Sequence, residues 1–269
     1  MENRKHFALI TGASSGIGYE LAKLFAKDGF NLIIVGREEA RLQRAAAIFE
    51  AEGVEVITMT ADLSERDAAF DLYENIRAKN VQIDVLVNDA GQEVYGKFID
   101  TDLSKELKII QLNIASLVTL TKLYLKEMVK RGAGKILNVA SVAGKLPGPY
   151  QAVYHGTKAF VHSFNEAVRA EIKDSPVTIT SLLPGPTDTD FFRKADMMDS
   201  KIVQEGELAD PAAVAKDGYE AMMDGKDMVV SGFKNKLQVA MGNITPDGKL
   251  AEQMGKMQEP VDDKPSNTP

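Results

Sequence analysis

Short apolar runs recur along the chain at intervals that leave room for a helix between successive runs. They are Phe7–Ile10, Asn31–Val35, Val54–Thr58, Ile83–Val87, Lys135–Val139 and Val177–Leu183, with a further short run at Met228–Val230. Each run is nearly continuous in apolar or β-branched residues, which is typical of strands covered by helices on both faces. The repeated strand–helix–strand order predicts an α/β fold with a doubly wound parallel sheet of about seven strands.

Two of the predicted helices are apolar over more than one side. They span roughly residues 104–130 and 151–172, and their leucines and phenylalanines spread around the helix surface. A surface of that kind is either buried inside one subunit or covered by a second subunit. The pattern alone leaves both arrangements open.

One domain accounts for residues 1–245, because no linker or internal repeat interrupts the pattern. Within it, the long loop 186–209 follows the sixth strand and mixes turn residues with phenylalanines and methionines. Long loops of that kind in compact domains are usually functional, so we expect a lid over a site. Residues 246–269 lose apolar periodicity and end in EPVDDKPSNTP, which predicts a flexible tail.

Composition removes several classes of function. The 269 residues carry a formal net charge of -7 without a dense basic cluster, which argues against nucleic acid or an anionic membrane as the main partner. There is no cysteine, so disulfides and thiolate chemistry are excluded, and the three histidines lack metal-ligand spacing. No apolar run reaches the roughly 20 residues of a membrane span, and no signal-peptide core is present. We therefore expect a cytoplasmic, soluble protein that uses no metal.

A glycine-rich turn follows the first strand directly and opens the first predicted helix. The turn contains Gly12, Ser14, Ser15, Gly16, Ile17 and Gly18. Glycines permit a tight turn and close approach to a ligand, and the helix N-terminus offers free N–H groups to a phosphate. This context favours a dinucleotide site, although the spacing Gly-x3-Gly-x-Gly differs from the usual Gly-x-Gly-x2-Gly. An ordinary glycine-rich turn is the alternative.

The end of the second strand bears on the choice between NAD and NADP. An acidic residue there would bind the ribose 2′-hydroxyl, whereas an arginine accommodates a 2′-phosphate. Here the strand ends in Val35-Gly36-Arg37 without an acid at its tip, so Arg37 favours NADP(H) over NAD(H). The alternative is that Arg37 is only a solvated residue at the start of a helix.

Further polar residues follow the third and fourth strands, where ligands bind in sheets of this kind. Asp62 and Leu63 come after the third strand, and Asn88, Ala90 and Gly91 come at the end of the fourth. We expect them to lie beside the glycine-rich turn, because the carboxyl ends of parallel strands share one edge of the sheet. On spacing alone, Asp62 could equally cap the next helix.

Tyr154 and Lys158 lie one turn apart on the same face of a predicted helix. An ammonium near a phenol lowers the phenol pKa from about 10, which would let Tyr154 exchange a proton near neutral pH. Such a pair is common by chance, so its meaning depends on the rest of the chain. Asn113 lies inside the pattern of the first long helix, where a buried amide needs a hydrogen-bonding reason and would bend the helix or hold water.

These motifs together resemble the short-chain dehydrogenase/reductases. The resemblance rests on TGASSGIG at 11–18, Asp62-Leu63, NDAG at 88–91, Asn113, Ser141, Tyr154-x3-Lys158 and Pro184-Gly185, in the family's order, over roughly residues 5–240. Asp89 departs from the family, which more often has a second asparagine there. The resemblance implies a single Rossmann-type domain and hydride transfer between NAD(P)(H) and a carbonyl/alcohol pair.

The resemblance also implies a role for each matching residue. Tyr154 would be the acid–base, Lys158 would lower its pKa and hold the nicotinamide ribose, and Ser141 would bind the substrate oxygen. Asn113 would support a water-linked proton relay. The remaining matches would line the cofactor: Asp62 at the adenine, Asn88, Ala90 and Gly91 along it, and Pro184, Gly185 and Thr189 near the nicotinamide, with Thr187 competing for that hydroxyl role.

Family members commonly form dimers or tetramers through two long helices. The resemblance therefore implies a homodimer or homotetramer built through 104–130 and 151–172. Two other functions keep the same fold, namely an NADP-binding regulator without turnover and an epimerase or dehydratase. Such a regulator would be expected to lose Tyr154 or Lys158, and both are present.

The partner implied by the resemblance is a small-molecule carbonyl or alcohol substrate. Its pocket would be walled by Gln92–Tyr95, Val142–Tyr150 and the Phe191–Val203 loop. Apolar side chains dominate these segments, so a moderately apolar compound is expected. His155, beside the tyrosine of the pair, is interpreted as structural.

Overall fold

The computed structural model describes residues 5–242 and 244–261, and a seven-stranded parallel sheet runs through them. Its strands are β1 Phe7–Thr11, β2 Asn31–Gly36, β3 Val56–Thr60, β4 Ile83–Asn88, β5 Lys135–Val139, β6 Thr178–Leu183 and β7 Met228–Val230. They are ordered β3-β2-β1-β4-β5-β6-β7 and pair in parallel throughout. The winding reverses between β1 and β4, and the crevice at the carboxyl ends there is where such sheets bind ligands.

Helices connect the strands and cover both faces of the sheet. They are α1 Gly16–Lys27, α2 Glu39–Glu50, α3 Ala68–Arg77, α4 Leu103–Ile110, α5 Leu117–Arg131, α6 Ala152–Glu171, α7 Asp190–Lys194, α8 Lys201–Gln204, α9 Pro211–Met223, α10 Phe233–Gly242 and α11 Asp247–Gln258. A π-helical segment, Gln111–Ser116, joins α4 to α5, and a 3₁₀ turn, Val142–Lys145, precedes α6.

Two apolar layers flank the sheet, because successive side chains of each strand point to opposite faces. In β1, Ala8 and Ile10 join the layer formed with α1, α2 and α9, whereas Phe7 and Leu9 join the layer formed with α3 and α5. All five residues of β1 are buried. Burial on both faces explains the continuous apolar runs, and the predicted doubly wound parallel fold is confirmed.

The two long apolar helices present different surfaces in the structure. In the first, α5 buries Leu120 and Leu125 against the sheet, whereas Leu107 on α4 is 56% exposed. In the second, α6 buries Val161 and leaves Phe160 42% exposed. Burial inside the subunit therefore accounts for most apolar side chains of α5, of which Val129 is 42% exposed, and both α4 and α6 keep apolar side chains on the outside of the protein.

The segment 186–209 is more ordered than a plain loop. It contains α7 and α8, and its Phe192, Ala195 and Met197 form an apolar cluster with Tyr95 beside the carboxyl ends of the strands. This cluster holds the segment against the crevice. Across the ranges that the structure describes, no helix has both the length and the apolar character needed to cross a membrane.

The end of the chain differs from the predicted flexible tail. Asp247–Gln258 forms α11, whose Leu250 and Met254 are buried against Leu146. The two apolar residues lie four apart on one helix face, but the polar composition around them obscured so short a period. The domain therefore includes α11, and residues 262–269 lie outside the described part of the chain.

Candidate active site

A cavity of about 430 Å³ lies at the carboxyl ends of the strands, between the glycine-rich turn and the segment 186–209. Most residues singled out in the sequence line it: Gly12, Ser14, Ser15, Gly16, Ile17, Arg37, Asp62, Leu63, Ala90, Gly91, Ser141, Tyr154, Lys158, Pro184, Gly185, Thr187 and Thr189. Residues that follow six different strands thus meet in one place, as a parallel sheet requires.

Contacts with the end of β4 shape the glycine-rich turn. Gly12 has a φ of +77°, and a Cβ there would lie 2.9 Å from Asp89 Oδ2. A Cβ on Gly18 would lie 2.4 Å from the same oxygen, so both positions require glycine. Ser15 is the N-cap residue of α1, and its side chain makes no capping hydrogen bond within the described part of the chain. The first N–H groups of α1 therefore have no side-chain partner there. The start of α1 is therefore suited to bind an anionic ligand.

The Lys158 ammonium is buried beside the ring of Tyr154. Its Nζ donates to the Val139 carbonyl at 2.8 Å and lies 5.7 Å from the centroid of the tyrosine ring. Burial lowers the pKa of Lys158 to about 8, and the carboxylates of Asp89 and Glu93 oppose that shift. The ammonium can therefore lose its proton under mildly alkaline conditions.

The pKa of Tyr154 is raised, which differs from the expectation drawn from the sequence. Burial is the largest cause and the Glu93 and Asp89 carboxylates add to it, whereas a hydrogen bond with Ser141 acts in the opposite direction. The spacing of four residues does bring the ammonium to the side of the ring, but burial and the two carboxylates decide the direction. Tyr154 is therefore a protonated phenol at neutral pH.

Ser141 is held in place at the end of β5. Its Oγ accepts from the Ala143 N–H at 3.1 Å, which caps the 3₁₀ turn, and lies 3.3 Å from the Pro184 carbonyl, to which it donates. Ser141 and Tyr154 both line the cavity, and Ser141 is close enough to act on the pKa of Tyr154, so the two hydroxyl groups lie near each other in the wall. They are placed so that both can bind a single ligand oxygen.

Asn113 lies in the π-helical segment, behind the cavity wall. Its Oδ1 accepts from the Gln92 N–H at 3.1 Å, and its Nδ2 donates to the Gln92 carbonyl at 2.9 Å and to Thr157 Oγ1 at 3.1 Å. These bonds satisfy a buried amide and tie the loop after β4 to α6. The predicted irregularity of the helix at Asn113 takes the form of a π-helical turn.

Polar groups collect where the cavity reaches Arg37. Asp62 Oδ1 accepts from the N–H and the hydroxyl of Ser64 at 3.0 and 2.7 Å, so it shapes the turn before α3 while also lining the cavity. Burial acts to raise the pKa of Asp62, but the Ser64 hydrogen bonds and the Arg37 charge lower it overall. The Gln92 side-chain amide is satisfied when its oxygen faces Arg37. In that orientation the oxygen accepts hydrogen bonds from Arg37 Nη2 at 2.6 Å and from Nη1 at 2.9 Å.

An ion pair connects α2 to the segment over the cavity. Arg41 Nη1 lies 2.9 Å from Asp190 Oδ2 on α7, which joins positions 149 residues apart. Lys194, at the end of α7, lines the cavity; burial lowers its pKa, and the charges of Arg41 and Arg37 lower it further while Asp190 opposes them. Arg37, directly after β2, and Lys194, on α7, are therefore close enough for their charges to interact.

Comparison with known proteins bears on this geometry. A family described as short chain dehydrogenase matches residues 6–199. The chain belongs to the short-chain dehydrogenase family. Among its relatives in that family, Dehydrogenase/reductase SDR family member 7B of Danio rerio is 31% identical over 253 residues, covering 88% of this chain and 81% of the relative.

Other short-chain dehydrogenases are similar to this chain over different shares of their length. A short chain dehydrogenase of Pseudocercospora fijiensis is 32% identical over 195 residues, which cover 72% of this chain and 63% of the fungal protein. The chain thus spans a little under two thirds of that relative. The solved short-chain dehydrogenase from Sphingobium yanoikuyae in complex with NADPH matches with a TM-score of 0.79 at 27% identity, over 89% of this chain and 94% of that one.

Three predicted site residues of this short-chain dehydrogenase lie outside the cavity wall of the described structure: Gly18, Asn88 and Asn113. Asn88 is 4% exposed, and its Nδ2 donates to Thr121 Oγ1 at 3.1 Å and to Asn138 Oδ1 at 2.8 Å. It therefore fastens β4 to β5 and α5. Gly18 permits the close packing of α1 on β4, and Asn113 holds the loop after β4, so all three support the wall from outside.

Several polar residues in the wall of this short-chain dehydrogenase were not singled out from the sequence. Asp89, Gln151 and Gln258 carried no predicted role, Gln92, Glu93 and Lys194 were expected only as parts of longer wall segments, and His155 was expected to be structural. Asp89 carried a signal, since it was the departure from the family pattern; burial raises its pKa to about 7, against the charge of Lys158 and the N–H of Gly18. The others carried no local signal, because their partners, such as Gln151 for Glu93, lie far away in the sequence.

Proposed function

We propose that the protein transfers a hydride between NADP(H) and a small carbonyl/alcohol substrate, with Tyr154 as the acid–base. The observation that carries this proposal is the meeting of Tyr154, Ser141 and Lys158 in a cavity that also contains the glycine-rich turn. Membership of a dehydrogenase family supports it. The solved complex of the Sphingobium yanoikuyae short-chain dehydrogenase with NADPH supports the nature of the cofactor.

The residues present fit a nicotinamide dinucleotide. The start of α1 beside Ser15 would hold the pyrophosphate, because helix N-termini attract anions. Gly91 leaves room at the ribose position, since a Cβ there would lie 3.6 Å from Lys158 Nζ. The other contacts would be Asp62 and Leu63 with the adenosine, Tyr154 and Lys158 with the nicotinamide ribose, and Pro184, Gly185 and a threonine with the nicotinamide.

The two candidate threonines differ in what their hydroxyl groups already do. Thr187 Oγ1 donates to the Gly185 carbonyl at 2.9 Å, so its proton is in use. Thr189 Oγ1 accepts from the Phe191 N–H at 3.3 Å and caps α7, which leaves its proton for a ligand. Thr189 is therefore the better donor to a nicotinamide carboxamide.

The preference for NADP(H) is the finer part of the proposal. Arg37 at the end of β2 and Lys194 at the end of α7 both line the cavity and lie close enough for their charges to interact. Two neighbouring cations repel each other, and a 2′-phosphate dianion between them would offset that repulsion through charge-assisted hydrogen bonds.

In the direction of carbonyl reduction, a bound nicotinamide dinucleotide supplies the hydride. The Tyr154 hydroxyl donates a hydrogen bond to the substrate oxygen as negative charge develops on it, and Ser141 Oγ donates a second one by turning its proton away from the Pro184 carbonyl, which it binds at 3.3 Å. Because its pKa is raised, Tyr154 carries the proton that it must deliver to that oxygen. Lys158 then stabilises the phenolate, since its ammonium lies beside the ring.

Tyr154→Phe tests the proposal. The variant keeps the ring but cannot deliver a proton, so carbonyl-dependent NADPH oxidation should fall by at least about a hundredfold. NADPH binding, followed by fluorescence titration, should stay close to wild type, and Tyr19→Phe on α1 serves as the matched control. Undiminished reduction by Tyr154→Phe would remove this residue from the mechanism. If NADPH binds but no carbonyl compound leads to its oxidation, the alternative functions are favoured instead, namely an NADP-binding regulator or an epimerase or dehydratase.

Two further parts of the proposal concern the whole protein. A homodimer or homotetramer would form through α4, α5 and α6, because α4 and α6 keep apolar side chains exposed. We also propose that the protein is located in the cytoplasm, which cell fractionation would test.

A further inference from the structure

One carboxyl oxygen in the cavity wall is buried without a hydrogen-bond partner. Glu93 follows the NDAG turn after β4, is 6% exposed and lines the cavity. Its Oε2 accepts from Gln151 Nε2 at 2.7 Å, whereas its Oε1 has no partner among the described residues. A buried oxygen left unpaired is destabilising, so a ligand that pairs with it gains affinity.

Neighbouring side chains fix the direction in which Gln151 presents its amide. Gln258 Nε2 on α11 donates to Gln151 Oε1 at 2.6 Å and lies 3.1 Å from His155 Nε2. His155 Nδ1 lies 2.7 Å from the Leu146 carbonyl and so carries the ring proton, which makes Nε2 an acceptor for Gln258. Because its oxygen is bound by Gln258, Gln151 turns its NH₂ group toward Glu93. The carboxyl is therefore held in one orientation, with Oε1 left over.

Glu93 acts on the groups that would carry out the reaction. Its charge is close enough to raise the pKa of Tyr154 and to oppose the lowering of the pKa of Lys158. Much of the remaining wall is apolar, formed by Leu146, Phe191, Phe192, Met197, Met254 and Met257. A polar atom left without a partner beside such apolar side chains can fix the orientation of a ligand.

We propose that Glu93 anchors the substrate through a hydrogen bond between its Oε1 and a hydroxyl group that the substrate carries in addition to the reacting carbonyl. The substrate is then an apolar hydroxyketone, or the corresponding diol in the reverse direction. This inference rests on the proposed function of the cavity and deepens it by naming a substrate class.

A hydroxyl group suits the position better than an ammonium. Lys158 already brings a positive charge close to Glu93, so a second cation would be repelled. Burial raises the pKa of Glu93 to about 8, against the charge of Lys158, so both the neutral and the ionised carboxyl are accessible near neutral pH. A hydroxyl can donate to the carboxylate and accept from the neutral acid, so it fits both forms.

The test compares a homologous series of ω-hydroxyalkan-2-ones with the unsubstituted alkan-2-one of each chain length. At the best chain length, wild type should prefer the hydroxyketone by about tenfold or more in kcat/KM, because a site built to bind a hydroxyl rejects the analogue without one. Glu93→Leu should bring that ratio close to one. Glu93→Gln, which keeps a polar group of the same shape, should retain part of the preference.

Glu106 provides the matched control. It is likewise a buried glutamate with an unpartnered oxygen, Oε2, among the described residues, but it lies on α4 and not in the cavity wall. Its other oxygen accepts from Thr101 Oγ1 at 2.9 Å. Glu106→Leu should therefore leave the ratio between hydroxyketone and ketone unchanged.

Equilibrium binding of the same pairs, followed by saturation-transfer NMR, separates this inference from the proposed function. Tighter binding of hydroxyketones to wild type than to Glu93→Leu supports the anchor even where no ketone is reduced, an outcome that would count against the proposed function alone. Equal binding of both members of every pair overturns the anchor. A ratio that survives in Glu93→Leu overturns it as well, and a stronger preference for the matched aminoalkanones overturns the hydroxyl assignment.

Discussion

Two carboxyls, Asp89 and Glu93, share the buried space around Tyr154 and Lys158. Burial raises their pKa values to about 7 and about 8, against the positive charge of Lys158. Groups that interact this closely titrate together, so the protons belong to the cluster as a whole. At the scale of single residues, the site is therefore a cluster of four titratable groups instead of an isolated tyrosine–lysine pair.

Glu93→Gln should stabilise the protein more at pH 8 than at pH 5. The pKa of Glu93 is about 8 in the folded protein. In the unfolded chain it is about 4.3. The folded state binds more protons between these values, so wild-type stability falls as the pH rises through them. Glutamine does not titrate, and the expected gain at pH 8 is about 1 kcal/mol or more. Urea unfolding at both pH values measures it, and a gain that does not depend on pH would contradict it.

Arg37→Leu should weaken NADPH selectively. Loss of a charge-assisted hydrogen bond to a 2′-phosphate should raise the KM for NADPH by about tenfold or more, because such bonds contribute about 1.5–3 kcal/mol. The KM for NADH should change little, since NADH has no phosphate at this position. Steady-state kinetics with both cofactors measure the effect, with the exposed Arg77→Leu on α3 as control. An equal loss for both cofactors would show that Arg37 does not select between them.

At the scale of elements, the parts that could be predicted from the sequence depend on local signals. The apolar run of β1, the glycines of the turn and the periodic apolar residues of α1 lie within a few positions of one another. Helix α11 depends on a distant contact, because Leu250 and Met254 become a buried face only when Leu146 lies against them. Its polar composition therefore indicated a tail.

The candidate site divides in the same way. Tyr154 and Lys158 were predicted from their spacing together with the motifs of the rest of the chain, and Ser141 from the family resemblance that those motifs carry. The inward orientation of Asn88 was not, since it depends on hydrogen bonds with Thr121 and Asn138. The raised pKa of Tyr154 was not predicted either, because the burial and the neighbouring carboxylates that cause it arise only in the folded chain.

Leu250→Asp should detach α11 without unfolding the sheet. A buried carboxylate facing Leu146 would be too costly, so the helix should leave the surface. Hydrogen exchange over 247–258 should accelerate while exchange in the central strands stays slow. Lys249→Asp introduces the same carboxylate at the neighbouring exposed position and should change little. Unchanged protection of α11 in Leu250→Asp would mean that this contact does not hold the helix.

At the scale of the whole molecule, one group of exposed apolar side chains lies on and just before α4. Phe98, Ile99, Leu103 and Leu107 are 61%, 87%, 66% and 56% exposed. Monomeric proteins rarely expose large apolar side chains so close together in the chain, and most homo-oligomers form through such self-complementary surfaces. This surface supports the proposed homodimer or homotetramer.

Leu107→Glu should shift the protein toward smaller species. A carboxylate in the centre of an apolar interface is desolvated without a partner, so the dissociation constant should rise by about tenfold or more. Sedimentation velocity across a concentration series measures the shift. Ile48→Glu replaces a residue of similar exposure, 49%, on α2 and should leave the assembly intact. An unchanged assembly in Leu107→Glu would place the interface elsewhere.

The ion pair between Arg41 and Asp190 makes the link between α2 and α7 depend on the solvent. The two side chains are 31% and 32% exposed, so dissolved ions reach them and weaken their attraction. The screening length falls from about 10 Å at 0.1 M salt to about 3 Å at 1 M. Crystals grown from concentrated ammonium sulfate and from polyethylene glycol are therefore expected to differ in the separation of Arg41 and Asp190, while Phe192 keeps α7 in its apolar cluster.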